Sequence, residues 1–471
     1  MLDKKEQALE YAQDLIEEGE VDKALRLLRP MLRDNPNDPG ALCAMTAIYS
    51  KADEHAIAYH LGKRLTEIAP KNSSGWINFG MAANDLWREG EAEIAFENGL
   101  KVAADDRSRI MLYLNMCAMY TDTGNWEKGK EYAQKALDLD PTHVKAKANL
   151  GFAQLALHEW EEGWKNYHEC LGGDFRKQVQ YGEEPEWEGE PGKHLAIYGE
   201  QGLGDEICGA SVLQEVIDIS SKVVLDIDSR LEGLFQRSFP EARVYGTRRE
   251  KAPIWAKDDV KPEASMAIVQ LGEFFRNSDD DFPGEPYLIP DTDRVLMWKA
   301  LFESKNKPVI GIAWRGGIQK TGAKFRQWDL DDLLPIFKSV DAHWVSLQYK
   351  PAAREIHNFK KKHPEIDLVE YPHGTLTDDY DDTAALVAAL DHTVCMQTAV
   401  AHLCGAMGKS CWVFVPKNSQ WRYGGNGDSI PWYKTLRVIR QKERGKWKQE
   451  IRRTAGELKQ RFTQLKVANV N

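Results

Sequence analysis

The chain lacks three things that would each have placed it in a simple class: a long apolar run, paired cysteines and a surplus of positive charge. No stretch approaches the ~20 apolar residues that a helix needs to span a bilayer. The charged start, Met1-Leu-Asp-Lys-Lys-Glu-Gln-Ala, shows no secretory signal, so a cytoplasmic protein is expected. The seven cysteines (Cys43, Cys117, Cys170, Cys208, Cys395, Cys404, Cys411) are scattered among mostly apolar neighbours without a C-x-x-C pair. That pattern predicts buried thiols, not a zinc site or a disulfide framework. A formal charge of −11 argues against nonspecific nucleic-acid binding by the whole chain, a mode that requires Lys and Arg to neutralise phosphates. One basic stretch stands out, Arg437 to Lys466, with Arg440, Lys442, Arg444, Lys446, Lys448, Arg452 and Arg453. It reads first as the solvated face of a terminal helix.

What is present begins with a repeat. The 471 residues allow about three domains at ~150 residues each. Pro36 and Pro70 are 34 residues apart, and Pro141 lies 71 beyond Pro70, two periods plus three residues. The surplus is assigned to the segment Ala83-Asn-Asp-Leu-Trp-Arg-Glu-Gly90. Tyr11, Ala12, Gly19, Ala24 and Pro36 occupy the offsets of a tetratricopeptide repeat, as do Tyr120, Gly124, Ala136 and Pro141. Trp76, Phe79 and Gly80 open another unit, and Leu150-Gly151 with Tyr167 fit a last one. Small residues let two helices cross closely, and each proline stops the second helix. Residues 1–170 therefore read as four to five helical hairpins in a solenoid. Its concave face would bind a peptide or protein, or the array would only dimerise or buttress the next domain.

After Gly172-Gly173 the period disappears, and the Pro-, Gly- and acid-rich Tyr181 to Gly192 reads as part of a linker, 171–192. Beyond it, apolar strands alternate with helical stretches: His194 to Tyr198, Lys222 to Asp228, Ala267 to Leu271, Val309 to Trp314, His343 to Tyr349, Thr393 to Met396 and Cys411 to Val415. Such alternation predicts parallel α/β sheets with ligands at the carboxyl ends of the strands. A polar interval, Pro290 to Lys307, divides the region in two, giving domains 193–295 and 296–435 with a basic helix 436–471 at the end. Each half starts with a strand feeding a glycine-bearing loop, Gly199 to Gly204 and Arg315-Gly316-Gly317.

Two constellations carry chemistry. Gly199-Glu-Gln-Gly-Leu-Gly-Asp-Glu-Ile207 joins a strand to a helix with three glycines and an aspartate at the helix start. Asp391 to Lys409 reads as strand, turn and a helix opened by Gln397, Thr398 and Ala399, with His402 one turn in. Unpaired N–H groups and the dipole make such a helix start a seat for phosphate. Asp381-Asp382 upstream are read as capping carboxylates. In the aromatic loop Trp421 to Tyr433, Trp432 and Tyr433 are read as packing, while Trp421 and Arg422 are left open between packing and stacking on a base or sugar.

These motifs resemble bacterial proteins that fuse tetratricopeptide repeats to a glycosyltransferase domain related to the lipopolysaccharide heptosyltransferases. The likeness rests on Glu200-Gln-Gly-Leu-Gly-Asp205, Ile310-Gly-Ile-Ala-Trp-Arg-Gly316, Val345-Ser-Leu-Gln348, Asp382-Thr-Ala-Ala-Leu386, Thr398-Ala-Val-Ala-His402 with Gly405, and Trp421-Arg422 followed by Pro431-Trp-Tyr433. It spans residues 190 to 440 in collinear order.

The resemblance implies a GT-B fold of two Rossmann-like domains behind the solenoid. It implies an acceptor loop of Gln201, Gly202 and Gly204, with Asp205 as catalytic base. It places the nucleotide sugar on Arg315, Lys324, Arg326, Gln348, Gln397, Thr398, Ala399 and His402. Relatives commonly carry an acid where this chain has Gln397, which bears on donor choice and on activity. No D-x-D is read as following a strand, so metal-independent catalysis is expected; the resemblance implies an inverting transfer with a nucleotide-sugar co-substrate and no cofactor. The acceptor would be a protein or glycan recruited by the repeats. Two other readings stand beside it: a scaffold with a degenerate transferase domain, and sugar transfer to modified nucleic acid served by the basic segment.

Overall fold

The computed structural model describes residues 4–173, 176–248, 250, 255, 261–317 and 325–468. The chain divides into two compact units, Met1–Ala153 and Gln154–Asn471.

The first unit is a solenoid of tetratricopeptide type. Helices pair as Lys4–Glu17 with Val21–Asp34, Pro39–Lys51 with His55–Ile68, Ser73–Asp85 with Glu89–Val102, and Asp106–Asp122 with Trp126–Leu139. The helix Val144–Ala156 follows them. Side-chain caps set several starts: Asp38 accepts from Ala41 N–H, Asn72 from Ser74 and Gly75, and Asp105 from Ser108. The turn inside each pair needs a left-handed residue, supplied by Gly19 (φ 79°), Asp53 (59°), Trp87 (61°) and Gly124 (75°). Small residues do hold the crossings close: a Cβ at Gly62 would stand 3.0 Å from Phe79 Cα. The extra repeat length lies elsewhere than expected. Asp106–Asp122 has 17 residues where the first helices on either side have 13, so the surplus lengthens a helix and leaves the Ala83–Gly90 turn unaltered.

The second unit contains two parallel sheets. Strands β1 (His194–Tyr198), β2 (Lys222–Asp226), β3 (Arg243–Tyr245) and β4 (Ala264–Ala267) form the first, in the order β3-β2-β1-β4. Strands β5 (Val309–Ala313), β6 (His343–Ser346), β7 (Leu368–Glu370), β8 (His392–Met396), β9 (Cys411–Val415) and β10 (Leu436–Arg440) form the second, in the order β10-β9-β8-β5-β6-β7. This is the expected class, a helical-repeat solenoid followed by two Rossmann-like α/β lobes. In the first sheet the order reverses between β1 and β4, and in the second between β5 and β8. Crevices at the carboxyl ends of strands beside such reversals are where open α/β sheets bind ligands.

The strand readings shift in detail. The apolar run Ala267 to Leu271 begins where β4 ends; Ala264–Ala267 is the paired segment, and Ile268 to Leu271 stay buried in the turn beyond it. The short edges β3 and β7 and the Arg-bearing β10 carry too few apolar residues to be read from the sequence. Because β2 ends at Asp226, Asp226-Ile-Asp228 is after all a D-x-D at a strand end. Its carboxylates are engaged by the protein: Tyr181 and Thr247 donate to Asp226 (both 2.7 Å), and Arg230 and Arg248 pair with Asp228.

The segment read as a linker is docked. Trp187 is buried, its N–H bonds Ser265 O (3.0 Å), and its ring packs on Phe274. The helix Trp160–His168 belongs to this unit, where Trp160, Trp164 and Tyr167 join Trp421, Trp432 and Phe282 in one aromatic cluster. The closing helix Lys448–Ala468 buries Ile451, Ala455, Leu458 and Phe462 in the core of the second sheet. Among the described residues, no helix is long and apolar enough to cross a membrane.

Candidate functional site

The two lobes meet where the glycine loop faces the helix after β8. Gly202 N-caps the short helix Leu203–Gly209, and Asp205 Oδ2 accepts from Gly202 N–H (2.8 Å). Gly204 lies against the first turn of helix Ala399–Ala406: a Cβ there would stand 3.1 Å from Ala399 Cα and 3.2 Å from His402 Cδ2. Loop and helix start are thus in direct contact, with Asp205 one residue away.

Buried ion pairs hold the loop from behind. Arg176, 1% exposed, donates Nε to Glu200 Oε1 (2.9 Å) and Nη1 to Gln270 (2.6 Å), and lies over the Tyr167 ring. Gln201 donates to Tyr167 Oη and to Glu200 (3.1 Å). Glu206 is fully buried; burial raises its pKa to about 8, against the pull of Arg248, with which it pairs. Arg248 also donates to Gln201 O (2.6 Å). Gly199 leaves room for the Glu206 side chain, which a Cβ would meet. Gln201 therefore serves the loop's own frame, with Gly202 exposed beside it.

Asp205 Oδ1 lies 2.9 Å from Nη1 of Arg422, a residue 3% exposed. Burial works against the charge of Arg422, but Asp205 beside it holds the guanidinium pKa above the ordinary arginine value. Arg422 lies over the ring of its neighbour Trp421, whose ring packs edge-on against Trp164 and Tyr167. Trp421 is thereby a packing residue, like Trp432 and Tyr433. The backbone behind is clamped by Arg440, which donates to the carbonyls of Gly427 (2.7 Å), Gly424 (3.0 Å), Asn426 (2.6 Å) and Tyr423. Part of the basic stretch is spent in this way, and Arg437 and Arg453 pair with Glu457.

His402 is buried between two tyrosines. It is 3% exposed, Nδ1 3.2 Å from Tyr433 Oη and Nε2 3.3 Å from Tyr423 Oη. Tyr433 Oη continues to Tyr287 Oη (3.3 Å), which donates to Ile207 O (2.7 Å). Burial and then the Arg422 charge lower the His402 pKa to about 4, so the ring is neutral at pH 7 and both nitrogens are engaged inside the protein.

The remaining expected donor residues occupy the carboxyl ends of β5, β6 and β8. Arg315 is turned onto Glu355, which it pairs with, and onto Pro351 O (3.2 Å). Arg326 is 7% exposed; burial lowers its pKa, and the hydroxyls of Tyr423 and Tyr349 and the Asp205 carboxylate lie within electrostatic reach. Lys324 falls outside the described residues. Gln348 and Gln397 are each 1% exposed, and among the described residues neither amide finds a hydrogen-bond partner. The same holds for Thr398 Oγ1, at the N-cap of the helix. Gly316 makes room for Thr398, since a Cβ there would run into the threonine methyl. Buried polar groups are almost always bonded, and these three stand out at the carboxyl ends of β6 and β8 as atoms with bonding capacity left among the described residues. Sequence reasoning did not find Arg176, and it left Arg422 undecided; an arginine between two aromatics in a glycine-rich loop was the only signal.

No protein-family model matches the chain. It is 26% identical to Protein FlbA of Caulobacter vibrioides over 457 residues, 92% of this chain and 74% of that protein. It is 28% identical to human Protein O-mannosyl-transferase TMTC3 over 114 residues, 24% of this chain and 12% of that protein. Among solved structures, it is similar to MamA from Desulfovibrio magneticus RS-1 (TM-score 0.29, 25% identity, 36% of this chain and 92% of that one). It is also similar to a thermophilic TPR protein of Thermus thermophilus (TM-score 0.30, 24% identity, 35% of this chain and 88% of that one).

Proposed function

We propose that this protein is a glycosyltransferase that moves a sugar from a nucleotide-sugar donor to a hydroxyl acceptor. The observation that carries the reading is the contact between the Gly202–Asp205 loop and the start of helix Ala399–Ala406. It sets a carboxylate beside a helix terminus suited to phosphate, at the strand-order reversals of two parallel sheets. Asp205 takes the proton of the acceptor hydroxyl as its oxygen attacks the anomeric carbon. Base catalysis of this kind typically contributes a factor of ~100 to 10,000. The charge growing on the diphosphate meets the N–H groups of the helix start and the Arg326 guanidinium. Gln348, Gln397 and Thr398 offer polar atoms for the ribose or sugar that have no partner among the described residues. His402 positions the helix through its two tyrosines and does not touch the donor. The single displacement inverts the anomeric centre and needs no metal in this scheme. The repeats recruit a protein or glycan acceptor, and the protein works in the cytoplasm. The mannosyltransferase named among the relatives shares too little of its length to lend its activity.

Calorimetry with a panel of nucleoside diphosphates tests the reading, and binding to none of them would sink it. Asp205→Asn should abolish transfer while nucleotide binding persists; unchanged turnover would remove Asp205 from the mechanism.

A second reading, a scaffold whose transferase domain has decayed, is favoured by the amide at Gln397 and by the engagement of Arg315 with Glu355. It predicts neither hydrolysis nor transfer of any nucleotide sugar in the presence of cell extract.

A further inference from the structure

We infer that Tyr167 is a positioning residue for Asp205. Carried on a helix braced against both lobes, it holds the Glu200–Gln201 end of the glycine loop and the Trp421–Arg422 turn at the separation that sets the carboxylate beside helix Ala399–Ala406. The inference rests on the reading of Asp205 as the base, and adds to it a residue that the sequence placed only in the last repeat.

The helix Trp160–His168 grips each lobe separately. On the first lobe, Trp164 Nε1 donates to Arg276 O (2.8 Å), Trp160 Nε1 donates to Asp279 Oδ1 (2.8 Å), and His168 bonds Glu186 and Glu273 (2.9 Å each). On the second, the Trp160 ring meets Trp432 and the Trp164 ring meets Trp421, both edge-on, with centroids 5.6 Å and 5.5 Å apart. Just before the helix, Ala156 O accepts from Gly425 N–H (3.1 Å). Polar bonds on one side and interlocked rings on the other make this helix a brace between the lobes.

Tyr167 stands where the brace reaches both site loops, and it is 1% exposed. Gln201 donates to its hydroxyl. Arg176 lies 4.0 Å over its ring, donates to its carbonyl (3.1 Å) and bonds the Glu200 carboxylate (2.9 Å). The first side chains of the loop after Gly199 thus both lead to this one residue. From the other side the Trp421 ring packs edge-on against it at 5.6 Å, and Arg422 lies within electrostatic reach of its hydroxyl. Arg422 in turn pairs with Asp205 (2.9 Å). Asp205 is therefore tied to Tyr167 by two routes, along the loop from Gln201 and through Arg422. Burial raises the tyrosine pKa to about 12, so at neutral pH the hydroxyl is uncharged and does not compete with Asp205 for the guanidinium. Buried polar networks lose more than one bond when a member goes, and a base displaced by ~1 Å costs about 100-fold in rate.

The test compares wild type with Tyr167→Phe, which keeps the ring and its packing and removes only the hydroxyl. The control, Tyr371→Phe, removes a hydroxyl that bonds His343 beside the edge strand β7. Hydrogen exchange of the unliganded full chain reads the amides of Gly202, Asp205 and Glu206, which are bonded within the loop. Exchange there should be about tenfold faster in Tyr167→Phe and unchanged in Tyr371→Phe. With a panel of nucleotide sugars and cell extract, Tyr167→Phe should lose about tenfold in kcat at an unchanged donor KM, because helix Ala399–Ala406 is untouched. A merely structural loss of one hydroxyl would act alike in both variants and would move neither the loop exchange nor kcat. Wild-type exchange at the loop, or wild-type kcat, in Tyr167→Phe overturns the inference while the transferase reading stands. Should Tyr167→Phe not fold, Gln201→Met, at a half-buried residue, removes the other end of the same bond. It must then give the same fast exchange, and wild-type exchange there overturns the inference. A wild type that binds no nucleoside diphosphate and consumes no nucleotide sugar overturns both.

Discussion

Adding one methyl group at Gly405 should destabilise the second unit, although the same change in another helix of that unit should stabilise it. Gly405 lies inside helix Ala399–Ala406 beneath the Tyr433 ring. A Cβ there would stand 2.5 Å and 2.6 Å from the two Cδ atoms of Tyr433 and nearer still to Cγ. Carbon atoms at rest sit about 3.5–4.0 Å apart, so the ring must retreat by about 1 Å. It has little room to do so, being 1% exposed and bonded at Oη to His402 and Tyr287. Overpacking of this sort costs about 1–3 kcal/mol, while Gly→Ala in a helix interior gains about 0.5–1 kcal/mol. The net expectation for Gly405→Ala is a loss of about 1–2 kcal/mol.

The control is Gly456→Ala, in the exposed face of helix Lys448–Ala468, where a Cβ meets nothing within 4 Å. Only the helix gain remains there, about 0.5–1 kcal/mol of added stability. Urea unfolding of both variants, followed by circular dichroism and tryptophan fluorescence, reads the two signs directly. A Gly405→Ala protein as stable as wild type would refute the packing of Tyr433 on that helix, and with it the argument that His402 is held by tyrosines.

Two further predictions concern the frame of the site. His168 bonds Glu186 and Glu273 (2.9 Å each), which raise its pKa to about 9, above the ~6.5 of an unfolded chain. A raised folded value stabilises fully below about pH 6.5 and is lost as pH rises through about 9. With the side chain 30% exposed, the loss should be about 1–2 kcal/mol. Urea midpoints at about pH 6 and about pH 10 should therefore fall further apart in wild type than in His168→Asn, and equal pH dependence would contradict the pairing. Arg440→Met should loosen the Gly424–Gly427 loop, since four carbonyls lose a charged donor at about 1 kcal/mol or more in all. Limited proteolysis should cut the variant there and spare wild type; equal resistance would show that the clamp is dispensable.

How much of this was legible in the sequence depended on whether the signal was local. The repeat was, because Gly19 and Gly124 meet a backbone requirement and the prolines follow helix ends at a fixed period. The surplus residues were misplaced because a lengthened helix keeps good helical residues throughout Asp106–Asp122, whereas a turn with polar residues looks like an insertion. Central strands β1, β5 and β9 were readable as buried apolar runs; β3 and β7 were not, since three residues at a sheet edge carry no period. Asp226-Ile-Asp228 was absorbed into a strand because nothing local shows that pairing ends at Asp226. The site was legible as two loops of the right kind, Gly199 to Asp205 and Gln397 to His402. What each side chain does there was not. The turn of Arg315 onto Glu355, the burial of His402 between tyrosines and the pairing of Arg422 with Asp205 all depend on partners distant in sequence.

The contrast between two neighbouring polar groups separates scaffold from binding surface. Around His402 both ring nitrogens have partners, and the chain of hydroxyls ends on a backbone carbonyl, the state expected of a polar network kept for structure. At Gln348, Gln397 and Thr398, buried donors and acceptors remain unmatched within the described residues, a condition that folding alone disfavours. Gln397 fits this view as an adaptation. A carboxylate at that position would stand desolvated beside a helix start that already faces one carboxylate, Asp205, and would repel a phosphate.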